Sequence, residues 1–323
     1  MPKWHYEDGI GEERAILIDQ GQILEARISR HAGIKAGLVA NVQLVKQLIP
    51  GKRGIVKLAS GEEMLLSPLP KGLTEGASVI VEVTRAAIAE QTRLKLPLCR
   101  AALDRVPVLA PTLHEHIGEA RLCHPHEADL FAENGWHEVI EEARTGHVEF
   151  TGGSLIISVT PGMTVIDVDG ELPPLALAMA AATAAGQAIR RLDLQGSIGI
   201  DFPGVADKAG RQEVAEALDT AMSGPFERTA VNGFGFLQLV KRRTGPSLPE
   251  ILQHDRITGH IMELLRMAQR DRGTGALTLV AHPALTAMLE MHPDWLEDLA
   301  KQTGRAVSLR SDPKLAIGGY YAE

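Results

Sequence analysis

The chain has 323 residues, with 41 Asp and Glu against 33 Lys and Arg for a formal net charge of −8, and 45% of its side chains are apolar. That length predicts two or three domains at about 100–200 residues each, and the composition excludes long-range disorder and any membrane span of ~18–20 apolar residues. Residues 1–8 lack a signal-peptide core, Cys99 and Cys123 have no CxxC spacing, which fits a reducing cytoplasm, and the acidic balance argues against a nucleic-acid partner.

Residues 14–30 read as two short strands around the turn Asp19-Gln20-Gly21. Over 37–97 short β runs (GLVANVQLVKQLI, GKRGIVKLA, EEMLLS, ASVIVEVT, TRLKLPL) are punctuated by Pro50-Gly51, Ser60-Gly61 and Glu75-Gly76. That spacing predicts a small closed barrel, which removes exposed strand edges. Residues 98–148 read as a loop-rich connector with one helix around 127–145. GGSLIIS and GMTVIDV are strands, and 174–191 is an Ala-rich helix with Pro173-Pro174 at its start. SIGIDF is a buried strand, and 208–222 an amphipathic helix with Val214, Leu218 and Ala221 on one face. RTAVNGF is a further strand and 235–243 a short helix. The β-α-β-α-β order predicts an α/β fold with a parallel or mixed sheet. A long helix from the capping residue Ser247 to about 270, strand ALTLVA, helices at 283–290 and 294–302 and strand RAVSLR form a small terminal α/β unit.

Charge is distributed unevenly. Residues 30–105 hold twelve basic against six acidic side chains, whereas 115–149 hold two against nine. The barrel is therefore a basic module beside an acidic connector.

In TVIDVDG (164–170) and IGIDFPG (198–204) an apolar strand ends in a carboxylate before a glycine-containing turn. With one helix between them, the strands become parallel neighbours or near-neighbours. Asp167 and Asp201 then emerge together at the carboxyl edge of the sheet, where open α/β sheets bind ligands. Asp169 follows on the same face or in the adjoining loop. Three acids crowded at one rim call for a cation, and hard oxygen donors favour Mg²⁺ or Mn²⁺; an Asp at a strand end also closes turns and caps helices. Lys241-Arg242-Arg243 at the end of this unit suits a phosphate backbone, or the end of a solvated helix. His114, His116, Cys123, His124 and His126 have the donor types for Zn²⁺, although a polar surface loop is the plainer reading. Gly273-Thr274-Gly275 follows a helix and reads as a C-cap.

The order TVIDVDG…IRRLDLQGSIGIDFPG…VNGFGFLQLVKRRTGPSL resembles the catalytic core of the ribonuclease E/G family of endoribonucleases. The resemblance implies a multi-subdomain α/β chain. An RNase H-like unit (1–32 and 101–158) is interrupted by an S1-like OB barrel (33–100); a DNase I-like catalytic unit (159–246) and a small C-terminal domain (247–323) follow. Asp167 and Asp201, with Asp169 as further ligand or orienter, would hold Mg²⁺ or Mn²⁺. Lys241 and Arg243 would contact phosphates from the closing basic helix. The implied reaction is hydrolysis of single-stranded RNA to 5′-phosphate and 3′-hydroxyl products, in cytoplasmic RNA processing or decay.

Departures from the family pattern narrow the reading. Between Ser247 and Ile257 there is no CxxC, so no structural zinc and no zinc-linked dimer is expected, while other homo-oligomers stay open. The connector is much shorter than the family's 5′-end-sensing segment, of which Arg144-Thr145 is only a faint echo. Between Tyr6 and Phe131 there is no Phe, Tyr or Trp. RNA contact by the barrel would rest on Lys52, Arg53, Lys57, Arg93 and Lys95, predicting salt-sensitive binding with little sequence choice. The rival readings are a non-catalytic RNA-binding protein on the same fold and a small-molecule phosphatase or nucleotide-binding enzyme, which needs a closed pocket.

Overall fold

The structure, a computed structural model, describes residues 1–90 and 93–323. Strands β1 (Lys3–Asp8), β2 (Glu12–Asp19) and β3 (Gln22–Arg30) form an antiparallel meander. Gln20 and Gly21, at φ 48° and 77°, make the left-handed hairpin turn that matches strand twist.

The barrel follows, with β4 (Val39–Ile49), β5 (Arg53–Lys57), β6 (Glu63–Leu66) and β7 (Ser78–Arg85). A small hairpin, β8 (Ile88–Ala89) and β9 (Leu94–Lys95), precedes β10 (Leu98–Ala101). The barrel closes in the order β10-β6-β5-β4-β7, as the spacing predicts. Its interior is aliphatic: Val42, Leu44, Val56, Met64, Leu66, Val79, Val81 and Val83 alternate inward around Cys99. One boundary differs from expectation. TRLKLPL does not form the last stave; Thr92 lies outside the described residues, Leu94 and Lys95 pair with β8, and the closing strand begins at Leu98.

The connector holds more regular structure than its composition predicts. It contains α1 (Leu113–Ile117), β11 (Ala120–Leu122), α2 (Leu130–Glu133) and α3 (Trp136–Thr145). β11 returns to lie parallel to β1, so the barrel interrupts the first sheet in sequence.

The second sheet is built from β12 (His147–Phe150), β13 (Gly153–Val159), β14 (Thr164–Gly170), then after α4 (Pro174–Arg191) β15 (Gly196–Asp201), and after α5 (Lys208–Ala221) β16 (Phe226–Arg228) and β17 (Phe236–Lys241). The order is β12-β13-β14-β15-β17-β16, with β14 and β15 parallel and the other neighbours antiparallel. Leu155, Ile157, Ile166, Ile198, Ile200, Leu237 and Leu239 point into the core beneath α4. Gly186 lets α4 approach α5 closely, since a Cβ there would stand 2.6 Å from that of Ala221. The opposite sheet face is open, with Ile156 43% and Val240 49% exposed.

Two elements here overturn expectation. RTAVNGF is not a strand, since only its first residue, Arg228, belongs to β16. The segment expected as a helix over 235–243 is strand β17 instead. Its burial alternates with a period of two, with Leu237 and Leu239 in and Val240 out, and the ladder of β15 supplies its partner.

The terminal unit comprises α6 (Leu248–His254), α7 (Arg256–Arg270), β18 (Leu277–Ala281), α8 (Pro283–Glu290), α9 (Pro293–Thr303), β19 (Val307–Ser311) and β20 (Tyr321–Ala322). The single long helix expected here is two, broken at Asp255, where φ −120° and ψ 59° leave the helical region. Among the described residues no helix is long and apolar enough to cross a membrane.

Candidate active site

β14 and β15 run parallel with Asp167 and Asp201 as register partners. Partners on adjacent strands stand about 4.8 Å apart and project to one side of the sheet. Both carboxylates therefore emerge together at the carboxyl ends of their strands, on the open face, and both are exposed. The single crossover through α4 brings them side by side, as their sequence spacing predicts.

The register extends outward from the pair. Ile156 on β13 stands opposite Asp167, and Phe236 on β17 stands opposite Asp201. A row of four side chains, Ile156, Asp167, Asp201 and Phe236, thus crosses the sheet. The Phe236 ring lies across Gly199, where an added Cβ would sit 2.5 Å from its Cζ. Turn 231–235 is stitched to the end of β15, because Phe202 N donates to Gly235 O at 3.1 Å. Gly235 is required there: its φ is 92°, and a Cβ would meet Phe202 O at 2.2 Å.

Asp169 shares the open face but stands about 7 Å further along β14, opposite Ser154. Its Oδ1 accepts from Gly170 N at 2.9 Å, as Asp167 Oδ1 accepts from Val168 N at 3.1 Å. The expected crowd of three acids is thus a pair with the third displaced along its strand. Among the described residues no three His, Cys, Asp or Glu side chains gather as a metal-ligating group. Two exposed carboxylates still fit Mg²⁺ or Mn²⁺, which take one or two protein carboxylates and complete their shells with water and phosphate oxygens. An open sheet face is unlike the closed pocket that a small-molecule phosphatase needs.

The basic run does not join the carboxylates. Lys241 pairs in register with Gly196, the far end of β15 from Asp201, roughly 17 Å away along the strand. It follows Leu237 and Leu239 on the helix-covered face, where burial pushes its ammonium pKa down against the opposing pull of Asp193. Arg243 is paired with Glu250, and only Arg242 of the three is exposed. None of them sits on a closing helix, because β17 is a strand.

The barrel cations fall into two sets. Lys52, Arg53 and Lys57 are exposed and pair with no carboxylate among the described residues; Arg53 and Lys57 lie on one outer face of β5. Arg93 and Lys95 instead hold Glu90 at 2.7 and 2.9 Å, and these two cations depress its pKa to about 2.

The histidine and cysteine group disperses. His114 packs against Tyr6, His124 stacks on His126, and Cys123 is buried in the core. Arg144 is engaged by Glu141 and Glu263 at 3.2 and 2.7 Å, and Thr145 Oγ1 donates to Glu141 O, so this echo of an end sensor is built into local structure.

A mixed α/β chain with a closed barrel and a register-paired aspartate couple on an open sheet is the class that fold and site define. The chain belongs to the ribonuclease E/G family, whose model matches residues 62–244, more than half its length and every element from β6 to β17. It is similar to ribonuclease E of Haemophilus influenzae, 25% identical over 197 residues that cover 57% of this chain and 20% of that protein. It is also similar to ribonuclease G of Escherichia coli K12, 29% identical over 134 residues, 38% of this chain and 27% of that one. The chain thus spans well under a third of the length of either relative.

Proposed function

We propose that this chain is a metal-dependent endoribonuclease that hydrolyses single-stranded RNA to 5′-phosphate and 3′-hydroxyl products in cytoplasmic RNA processing or decay. The observation that carries the reading is the Asp167–Asp201 register pair, exposed on an open sheet face within the family-matched segment. The similar proteins are ribonucleases E and G, which supports RNA as the substrate class. Two free, buried cysteines accord with a reducing compartment.

In this reading the barrel is the S1-type module of 33–100 inserted in an RNase H-like unit, 159–246 is the DNase I-like catalytic unit, and 247–323 the small C-terminal domain. Asp167 and Asp201 are the metal ligands, with Asp169 placed to orient water or substrate further along the face. A divalent ion at such a pair lowers the pKa of bound water and neutralises charge developing on a phosphoryl oxygen. An open face admits a polymer and leaves its strand direction to be set by neighbouring side chains. Of the cations, Lys52, Arg53 and Lys57 are available to phosphates, whereas Lys241 and Arg243 act in packing.

One observation favours a second reading, a non-catalytic or weakly catalytic RNA-binding protein: the basic run stands at the far end of β15 from the carboxylates. Incubating 5′-labelled single-stranded RNA with Mg²⁺ or with EDTA separates the two. Cleavage to 5′-phosphate and 3′-hydroxyl ends that stops with EDTA is the expected result. Salt-sensitive binding without cleavage supports the second reading, and neither binding nor cleavage removes both.

A further inference from the structure

Single-strand binding draws on aromatic rings as well as cations, because every base has a π-face to stack. This barrel has neither Phe, Tyr nor Trp, so a stacking surface has to lie elsewhere in the chain. Of the twelve aromatic side chains, two are exposed: Tyr321 at 39% and Phe234 at 90%. A phenyl ring left almost wholly in water gains nothing for the fold by its position.

Phe234 is nonetheless held firmly. Asn232 Oδ1 accepts from Phe234 N at 2.9 Å and from Phe236 N at 3.0 Å. Asn232 N donates to Phe236 O at 3.0 Å, and Gly235 N donates to Asn232 O at 3.1 Å. The turn is joined to Phe202, the residue after Asp201. Phe234 is two residues, at most ~7 Å of chain, from Phe236, the register partner of Asp201. An exposed ring on a backbone fixed at the carboxylate edge has the form of a binding platform.

We propose that Phe234 is the stacking platform that seats an unpaired base of single-stranded RNA beside the Asp167–Asp201 pair. The inference rests on the RNA-cleaving reading above and names the residue that replaces the missing barrel aromatics. Stacking tolerates any base, so Phe234 confers single-strand preference without sequence choice. Duplex RNA, whose bases are already stacked inward, gains nothing from the ring.

The test compares wild type with Phe234→Ala, Phe234→Leu and Phe234→Trp on short single-stranded RNA, one base of which is 2-aminopurine. Stacking quenches that fluorophore, a signal that a purely structural role does not move. Phe234→Ala is expected to raise KM about 5- to 150-fold, the ~1–3 kcal/mol of one base–aromatic stack, with kcat changed little and the quenching lost. Phe234→Trp is expected to retain affinity and quenching, and Phe234→Leu to lose both despite its bulk. The ring is exposed, so the thermal midpoint should stay at the wild-type value. Unchanged KM and quenching in Phe234→Ala, with wild type cleaving RNA, overturn the platform alone. A Leu variant as good as wild type overturns stacking, and a changed oligomeric state with unchanged RNA affinity assigns the ring to a protein contact. A wild-type chain that neither binds nor cleaves RNA overturns both the platform and the reading on which it rests.

Discussion

The Phe236 ring lies on Gly199, within 2.5 Å of where a Cβ on that glycine would stand. The contact sets the ring beside Asp201 on the face that carries both carboxylates. A methyl group at position 199 would also meet Met163 Sδ at 3.2 Å, so both side chains would have to shift to admit it.

Gly199→Ala is therefore expected to destabilise the chain by about 1–3 kcal/mol through overpacking and to lower RNA cleavage more than RNA binding. Pairing it with Phe236→Leu should recover part of the stability. Urea unfolding of the single and double variants, with cleavage rates beside it, checks both statements. Full wild-type stability in Gly199→Ala would show that the ring moves freely.

Arg266 on α7 joins the terminal unit to the rest of the chain. It donates to both oxygens of Glu7 on β1 at 2.9 and 3.0 Å, and to both oxygens of Asp129 at 2.9 and 2.6 Å. The guanidinium is 7% exposed, and despite burial its hydrogen bonds with Asp129 and Glu7 raise its pKa further. Arg266→Ala would leave Glu7 and half-buried Asp129 with Arg270 as their nearest remaining cation, an expected loss of up to about 3–5 kcal/mol. Arg266→Lys should fall between, since an ammonium cannot bridge two carboxylates bidentately. Denaturant midpoints provide the measure.

Asp129 makes the same junction pH-sensitive. Burial would raise its pKa, but hydrogen bonds from Arg266 and Ala132 N outweigh that and leave it below its ordinary value. A carboxylate depressed in the folded state contributes stability above its unfolded pKa of about 3.9 and loses it as pH falls through the lower folded value. Stability is thus expected to drop as pH is lowered below about 4, and Asp129→Asn should flatten that part of the profile while lowering stability at neutral pH. An unchanged acid limb in the variant would remove Asp129 from the junction.

Much of the sheet that carries the aspartate pair was legible in the sequence. Pro173-Pro174 marked the start of α4, and strands ending in Asp167 and Asp201 with one helix between them implied a parallel pair with abreast carboxylates. What escaped was set by tertiary pairing. FGFLQLVKRR carries apolar residues that satisfy a helical or a strand period, and only the free edge of β15 decides between them. Because β17 runs antiparallel to β15, it carries Lys241 away from Asp201, so closeness in motif order gave no closeness in space. The break between α6 and α7 has no Gly or Pro at Asp255 to announce it. Phe234 closes RTAVNGF, which reads as a strand, and its 90% exposure follows instead from the turn made by Asn232.

The sharpest measurement is the rate of single-stranded RNA cleavage in Mg²⁺ by Asp167→Asn, Asp201→Asn and Asp169→Asn beside wild type. Loss of an outer-shell partner in a metal site already costs 10–100-fold, so each of the first two variants is expected to fall at least about 100-fold. Their folds should be unchanged, since both side chains are exposed. Asp169→Asn, displaced along β14, is expected to lose less than about tenfold. Wild-type cleavage by either Asp167→Asn or Asp201→Asn is incompatible with a catalytic centre at this pair.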